Sequence, residues 1–224
     1  MNYFAHARDF LDDPYFAAGT AVPDLLTVAD RRVRLRRKHV LPFVDDPDPA
    51  AASVARGILQ HLADDARFHG TRAFAELSLG LTAAVRNALG EERGFRPSFL
   101  GHLLLEVLLD ASLAAENPDR LEAYYRSMDS VVPGVIEEAV NRMSPRSTDR
   151  LAGMVLRFCR ERFLWDYLED AKLLVRLNQV MRRAKLRQLP ESFREVLPQA
   201  RRRVDDRRVA LLEGIPVRAS EDKL

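Results

Sequence analysis

The sequence has a single cysteine, only four lysines, and no histidine beyond residue 102. Cys159 alone closes no internal disulfide and suits a reducing compartment, so a cytoplasmic location is expected. No apolar run approaches the roughly 18 residues of a membrane-spanning helix, and no membrane span is expected. The opening Met1-Asn2-Tyr3-Phe4-Ala5-His6-Ala7-Arg8-Asp9 lacks the cationic-then-apolar order of a signal peptide. Sustained period-two alternation is missing, as are Asn-Gly and Asp-Gly hairpin turns, which argues against β-structure. The sequence shows no glycine-rich phosphate loop, no serine-nucleophile elbow and no repeat of fixed period.

What remains is a strong helical signal. At 224 residues, with 47% hydrophobic and 30% charged side chains, the chain can bury a core and is not a disordered polymer. Helices are predicted near 3–11, 15–29, 50–69, 71–89, 97–116, 118–131, 133–143, 147–187 (broken once) and 191–213. The expected architecture is all-α, a single multi-helix domain of nine or ten helices. Residues 1–145 would form the core, and 146–224 a helical extension packed on it. Asp12-Asp13-Pro14 is expected to stop the first helix, because a residue before proline avoids the helical region. Asp45-Asp46-Pro47-Asp48-Pro49 reads as an extended linker, and Gly90 and Gly94 punctuate a charged turn.

Charge is nearly balanced, at 35 basic against 33 acidic residues, so composition alone does not call for nucleic acid. Residues 182–208 do concentrate ten basic side chains (Arg182, Arg183, Lys185, Arg187, Arg194, Arg201, Arg202, Arg203, Arg207, Arg208) against four acidic ones. Such a strip is either a solvated helical face or a track for phosphates. Arg31-Arg32-Val33-Arg34-Leu35-Arg36-Arg37-Lys38, just before His39, offers the same choice.

The histidines carry the chemical signal. In Phe99–Ala114 the only polar side chains before Ser112 are His102, Glu106 and Asp110, spaced i, i+4, i+8. At 3.6 residues per turn these drift by only about 40° per step and share one face. Carboxylates on so apolar a helix are costly unless paired, protonated or bound to a cation. Both an arginine partner and a metal ion fit that demand. His61, Asp65 and His69 repeat the spacing on another predicted helix. An imidazole and a carboxylate one turn apart can hold the same divalent ion. His6, beside Phe4 and Phe10, is either a core histidine or a ligand, and Asp24 either a helix cap after Pro23 or a ligand.

Several segments resemble the acyl-carrier-protein phosphodiesterase family, all-α metal-dependent enzymes related to the HD phosphohydrolases. They are Met1-Asn2-Tyr3-Phe4-Ala5-His6, Gly19-Thr20-Ala21-Val22-Pro23-Asp24, Gly57-Ile58-Leu59-Gln60-His61-Leu62-Ala63-Asp64-Asp65, and Glu106-Val107-Leu108-Leu109-Asp110 with Leu113-Ala114. The resemblance covers about residues 1–115 and implies a phosphodiester hydrolase scaffold. Ala111 stands where that family has histidine, and Glu106 where it has aspartate. In chain order His6, Asp24, His39, His61, Asp65, His69, His102 and Glu106 are also similar to the ligand order of zinc-dependent phospholipases C and single-strand nucleases. That likeness implies one metal on Asp24, His39, His61 and Asp65, and a second on His69, His102 and Glu106. A third would sit on His6, a bridging Asp65 and the amino terminus.

The expected function is therefore metal-dependent phosphoester hydrolysis, with Asp65 as bridging ligand and Asp110 as ligand or orienting partner. Zinc is the favoured ion, with manganese or iron as alternatives, because imidazole-rich sites disfavour magnesium. The alternatives are a non-catalytic helical interaction protein that keeps the scaffold or one structural metal, and a nucleic-acid-processing phosphodiesterase served by the basic strip. Homo-oligomerisation is compatible with each.

Overall fold

Proline starts helices in this chain more often than it ends them. Five helices open on one, at Pro14, Pro49, Pro97, Pro118 and Pro133, where the missing N–H costs nothing and the fixed φ suits the first turn. The computed structural model describes residues 1–90 and 94–215. Among them it contains α-helices and short 3-10 turns and no strand, so the all-α class is shown. In chain order the helices are α1 (Tyr3–Ala7), α2 (Pro14–Ala29), α3 (Arg37–Val40), α4 (Pro49–Gly70), α5 (Arg72–Leu89) and α6 (Pro97–Glu116). They continue as α7 (Pro118–Asp129), α8 (Pro133–Met143), α9 (Leu151–Glu161), α10 (Asp170–Arg183), α11 (Leu197–Asp205) and α12 (Arg208–Leu211).

Several local outcomes differ from expectation for identifiable reasons. The first helix ends at Ala7, and Asp13-Pro14 begins α2 instead of stopping α1: Asp13 Oδ1 accepts the Phe16 N–H at 3.0 Å. Asn117 caps α7 in the same way, accepting from Arg120 at 3.0 Å. The segment predicted as one broken helix over 147–187 is α9, a 3-10 turn at Phe163–Leu168, and α10. The break is Arg162, whose φ of 46° lies in the left-handed region. Its guanidinium is held by Glu122 at 2.7 Å and lies 4.7 Å from the centroid of the Tyr125 ring. Glu91–Arg93, the charged part of the turn between Gly90 and Gly94, lies outside the described residues.

The chain forms two units, each packed on its own core. One combines residues 2–66, 117–162 and 214–215, and so holds α1, α2, α3, most of α4, α7, α8 and α9. Its centre is aromatic. The ring centroids of Phe4 and Tyr124, and of Tyr124 and Phe158, are 5.9 Å apart, and those of Tyr125 and Phe158 5.6 Å. Helices α2 and α4 touch backbone to backbone at two glycines. A Cβ on Gly19 would sit 2.5 Å from the Val54 carbonyl oxygen, and one on Gly57 would strike the Phe16 carbonyl. Cys159 is half-buried, its thiol set against the Met128 carbonyl; burial and the nearby Asp129 push its pKa up to about 12, leaving a packed thiol.

The other unit combines Met1 with residues 67–116 and 163–213. Its axis is α6, packed on α5, α11 and the Phe163–Leu168 turn. Gly101 permits the α5 contact, since a Cβ there would lie 2.5 Å from Thr82 Oγ1. By length and hydropathy α6 would pass as a membrane span, which inspection of uninterrupted apolar runs missed. In this fold it is a core helix, with 61% of that window buried. Four of the ten basic side chains of the C-terminal strip are held in ion pairs: Arg194 with Glu191, Arg201 with Asp170, Arg207 with Glu76 and Arg208 with Glu116.

Two glycines in opposite surroundings predict opposite outcomes for the same substitution. Gly57→Ala should destabilise the protein by about 1–3 kcal/mol in urea unfolding, because backbone stands where the methyl would go. Gly153→Ala, exposed in α9 with nothing within 4 Å, should stabilise it by about 0.5–1 kcal/mol. Equal effects at the two positions would contradict the α2–α4 contact.

Candidate metal centres

The first group lies in the unit containing α1, α2 and most of α4. Helix α1 is only five residues long and wholly buried, and it delivers His6. Helix α4 delivers His61 and, one turn later, Asp65. The His6 and His61 rings stack at 4.0 Å between centroids with an interplanar angle of 28°. Each ring presents Nε2 to a different oxygen of one carboxylate: His6 to Asp65 Oδ1 at 3.4 Å, His61 to Asp65 Oδ2 at 3.5 Å. His6 and His61 are buried, whereas the Asp65 side chain is 31% exposed.

The far side of each ring is also occupied. His61 Nδ1 lies 2.8 Å from the Thr20 carbonyl oxygen. A carbonyl can only accept, so Nδ1 carries a proton and Nε2 is the nitrogen free to act as a ligand. His6 Nδ1 faces Asp64 Oδ2 at 3.4 Å. Its Nε2 is buried and makes no hydrogen bond of good geometry. One ligand atom from each of His6, His61 and Asp65 lies within 4.8 Å of the others, close enough for a single divalent ion to draw them together. An orphaned ring nitrogen, a second ring of fixed tautomer and a shared carboxylate together fit a divalent cation.

The second group lies in the other unit. The last turn of α4 supplies His69, and α6 supplies His102 and Glu106. Glu106 Oε1 receives His102 Nε2 at 2.9 Å, His69 Nε2 at 3.4 Å and the α-amino group of Met1 at 3.3 Å. Phe74 stands edge-on to both imidazoles, its centroid 4.8 Å from His69 and 5.1 Å from His102. Thr71 sets that position by capping α5 through the Phe74 N–H at 3.1 Å. This group is more open than the first, with the His102 side chain 42% exposed. In each group the ligand atoms of the three residues lie within 4.8 Å of one another.

The remaining candidates are placed differently. Asp24 lies inside α2, so it is not a helix cap; it is half-buried and its charge acts on His61, yet it adds no ligand atom to the group. His39, on the short α3, belongs to neither group. Asp110 is buried on α6 and also belongs to neither. The i, i+4, i+8 stripes are thus divided: residues 61 and 69 are about 12 Å apart along an ideal helix, too far for one ion to span. Sequence reasoning missed Asp64, the Thr20 carbonyl and Phe74. Of these only Asp64, an acid beside Asp65, left any trace in the residue pattern.

Comparison with protein-family models, curated proteins and solved structures found no match to this chain.

The charges in both groups are strongly biased. Burial opposes ionisation of Asp65, but the His6 and His61 imidazoles at its oxygens outweigh it and hold the carboxyl far below the usual range. For Glu106 burial is again outweighed, by His102 and then His69, and its pKa falls to about 2. Burial pushes the His61 pKa down, but Asp24 and Asp65 reverse that and raise it. In metal-free protein the lowered carboxyls stabilise the fold above their unfolded values of about 4, and that contribution fades as pH falls through the folded values. The raised His61 contributes fully below its unfolded value of about 6.5 and loses this as pH rises through its folded value. Thermal melts with chelator present should therefore peak between about pH 4.5 and 6.5, and His61→Gln should flatten the alkaline decline. A melting temperature that climbs steadily above about pH 6.5 would contradict these assignments.

Proposed function

We propose that this chain is a divalent-metal-dependent phosphoesterase acting on a phosphodiester, with one ion held by His6, His61 and Asp65 and another by His69, His102 and Glu106. The observation that carries the reading is the donor geometry of the first group: two stacked imidazoles, both answered at Nδ1, both turning Nε2 to one carboxylate. The His6 Nε2 contact with Asp65 falls short of hydrogen-bond geometry, which leaves that buried nitrogen open to an ion. The resemblance of Met1–His6, Gly19–Asp24 and Gly57–Asp65 to acyl-carrier-protein phosphodiesterases supports the same chemistry, whereas the ligand order of zinc phospholipases C is matched only in part, since Asp24 and His39 join neither group. Zinc suits the imidazole-rich donor set best, with manganese and iron next.

A bound ion would supply Lewis acidity to phosphoryl oxygens and lower the pKa of a coordinated water from 15.7 towards about 7. The chain's own part is positional and electrostatic. Asp65 is ionised throughout the neutral range, and the exposed part of its side chain is the open side of an otherwise buried group. His102 and His69 keep Glu106 ionised in the same way. The burial of His6 and His61 favours a second reading for the first ion, a structural one in a closed site. Four arginines of the C-terminal strip are drawn into ion pairs, which leaves fewer of its cations for a phosphate track and weakens the nucleic-acid variant.

Elemental analysis of untagged protein should find one transition-metal ion per group, with His61→Ala and His102→Ala each losing one. Hydrolysis of bis(p-nitrophenyl) phosphate should fall by about 10²-fold or more in Asp65→Ala, the scale of a lost charge-stabilising group. Metal content below one ion per chain, unchanged by either histidine substitution, would overturn the proposal. Full metal content with no hydrolysis would leave the structural reading in its place.

A further inference from the structure

Asp64 is 1% exposed, an uncommon depth for a carboxylate, and the phosphoesterase reading does not use it. We infer that Asp64 is a positioning residue of the first metal group: it holds the His6 imidazole by Nδ1, so that Nε2 is the nitrogen presented to the ion. The inference rests on the metal reading of that group and deepens it.

Adjacent residues on a helix point about 100° apart. Asp64 and Asp65 therefore leave α4 in different directions, and the His6 ring fits between their carboxylates. Asp64 Oδ2 lies 3.4 Å from Nδ1, and Asp65 Oδ1 lies 3.4 Å from Nε2. Asp64 is itself held, because Gln60, one turn earlier on α4, donates to its Oδ1 at 2.7 Å. With Oδ1 committed to an amide, Oδ2 is the oxygen that faces the imidazole. Both ring nitrogens face a carboxylate, but only the Nδ1 contact has hydrogen-bond geometry, so the proton of a neutral His6 belongs on Nδ1 and the lone pair on Nε2.

The arrangement parallels that of the neighbouring ring, where the Thr20 carbonyl answers His61 Nδ1. One imidazole is oriented by backbone and the other by a buried acid, and both turn the same nitrogen to Asp65. Partners of this kind fix the tautomer and raise the basicity of a metal-binding histidine, and losing one typically costs about 10- to 100-fold in metal affinity. An acid that acted through its charge alone would lose as much on Asp64→Asn as on Asp64→Ala, because both remove the charge.

The test is zinc affinity by chelator competition in wild type, Asp64→Asn and Asp64→Ala, with the His6 tautomer read by long-range nitrogen-15 NMR. Asp64→Ala should weaken the tighter-buried site about 10- to 100-fold while leaving the affinity due to His69, His102 and Glu106 unchanged. Asp64→Asn, which keeps an accepting oxygen, should lose less and guards against a variant that fails to fold. In zinc-loaded wild type His6 should be protonated on Nδ1 and bound through Nε2. Wild-type zinc affinity in both variants, or zinc bound through Nδ1, overturns the inference while leaving the metal reading intact. Absence of any bound ion in wild type overturns both.

Discussion

Burying an imidazole is costly unless its nitrogens find partners, and that demand organises the residues around α4. His6 and His61 are both buried, so four ring nitrogens need partners within one small region. Two partners come from behind, the Thr20 carbonyl and Asp64, and the other two nitrogens turn to Asp65. The packing of the unit makes this possible. Gly57 lies one turn before His61 on α4, and Gly19 directly precedes Thr20 on α2. The close approach at these two glycines is what brings the Thr20 carbonyl to 2.8 Å from the His61 ring. A side chain at either glycine would widen the gap and release the imidazole.

Electrostatics follow from that packing. Asp65 is deep enough for burial to penalise its charge, yet two imidazoles reverse the penalty. His61 is subject to the opposite tension and is resolved the same way, by Asp24 and Asp65. The second group reaches a comparable state more simply, with His102, His69 and the Met1 amino group all on Glu106 Oε1. Arginine plays little part in either group. It is spent in ion pairs such as Arg201 with Asp170 and Arg208 with Glu116, which knit helices together.

Much of the helical layout was legible because the chain marks its helices locally. Residues 97–116 and 133–143 are read to the residue, since each opens on proline and runs to a clear change of pattern. The first helix was overextended because Asp13-Pro14 signals a start as readily as a stop. Arg162 was invisible as a break, since an arginine in the left-handed region is held there by Glu122 and Tyr125, both distant in sequence. The histidine–carboxylate spacing pointed to the residues now grouped, but not to their partition. Residues 61, 65 and 69 share a helical face, and only the tertiary fold sends His61 and Asp65 to His6 while His69 goes to His102 and Glu106. Asp24 and His39, placed by ligand order alone, are the least supported by geometry. The Thr20 carbonyl carries no side-chain signature and could not have been read from sequence.

The account stands or falls on whether ions occupy the two groups. The most direct measurement is anomalous diffraction at the zinc edge from crystals of untagged, zinc-loaded protein. The account predicts one peak about 2.0–2.2 Å from His6 Nε2, His61 Nε2 and Asp65, and another at the same range from His69, His102 and Glu106. Crystals that show no anomalous peak at either group, or that hold zinc only on surface side chains elsewhere, would contradict it.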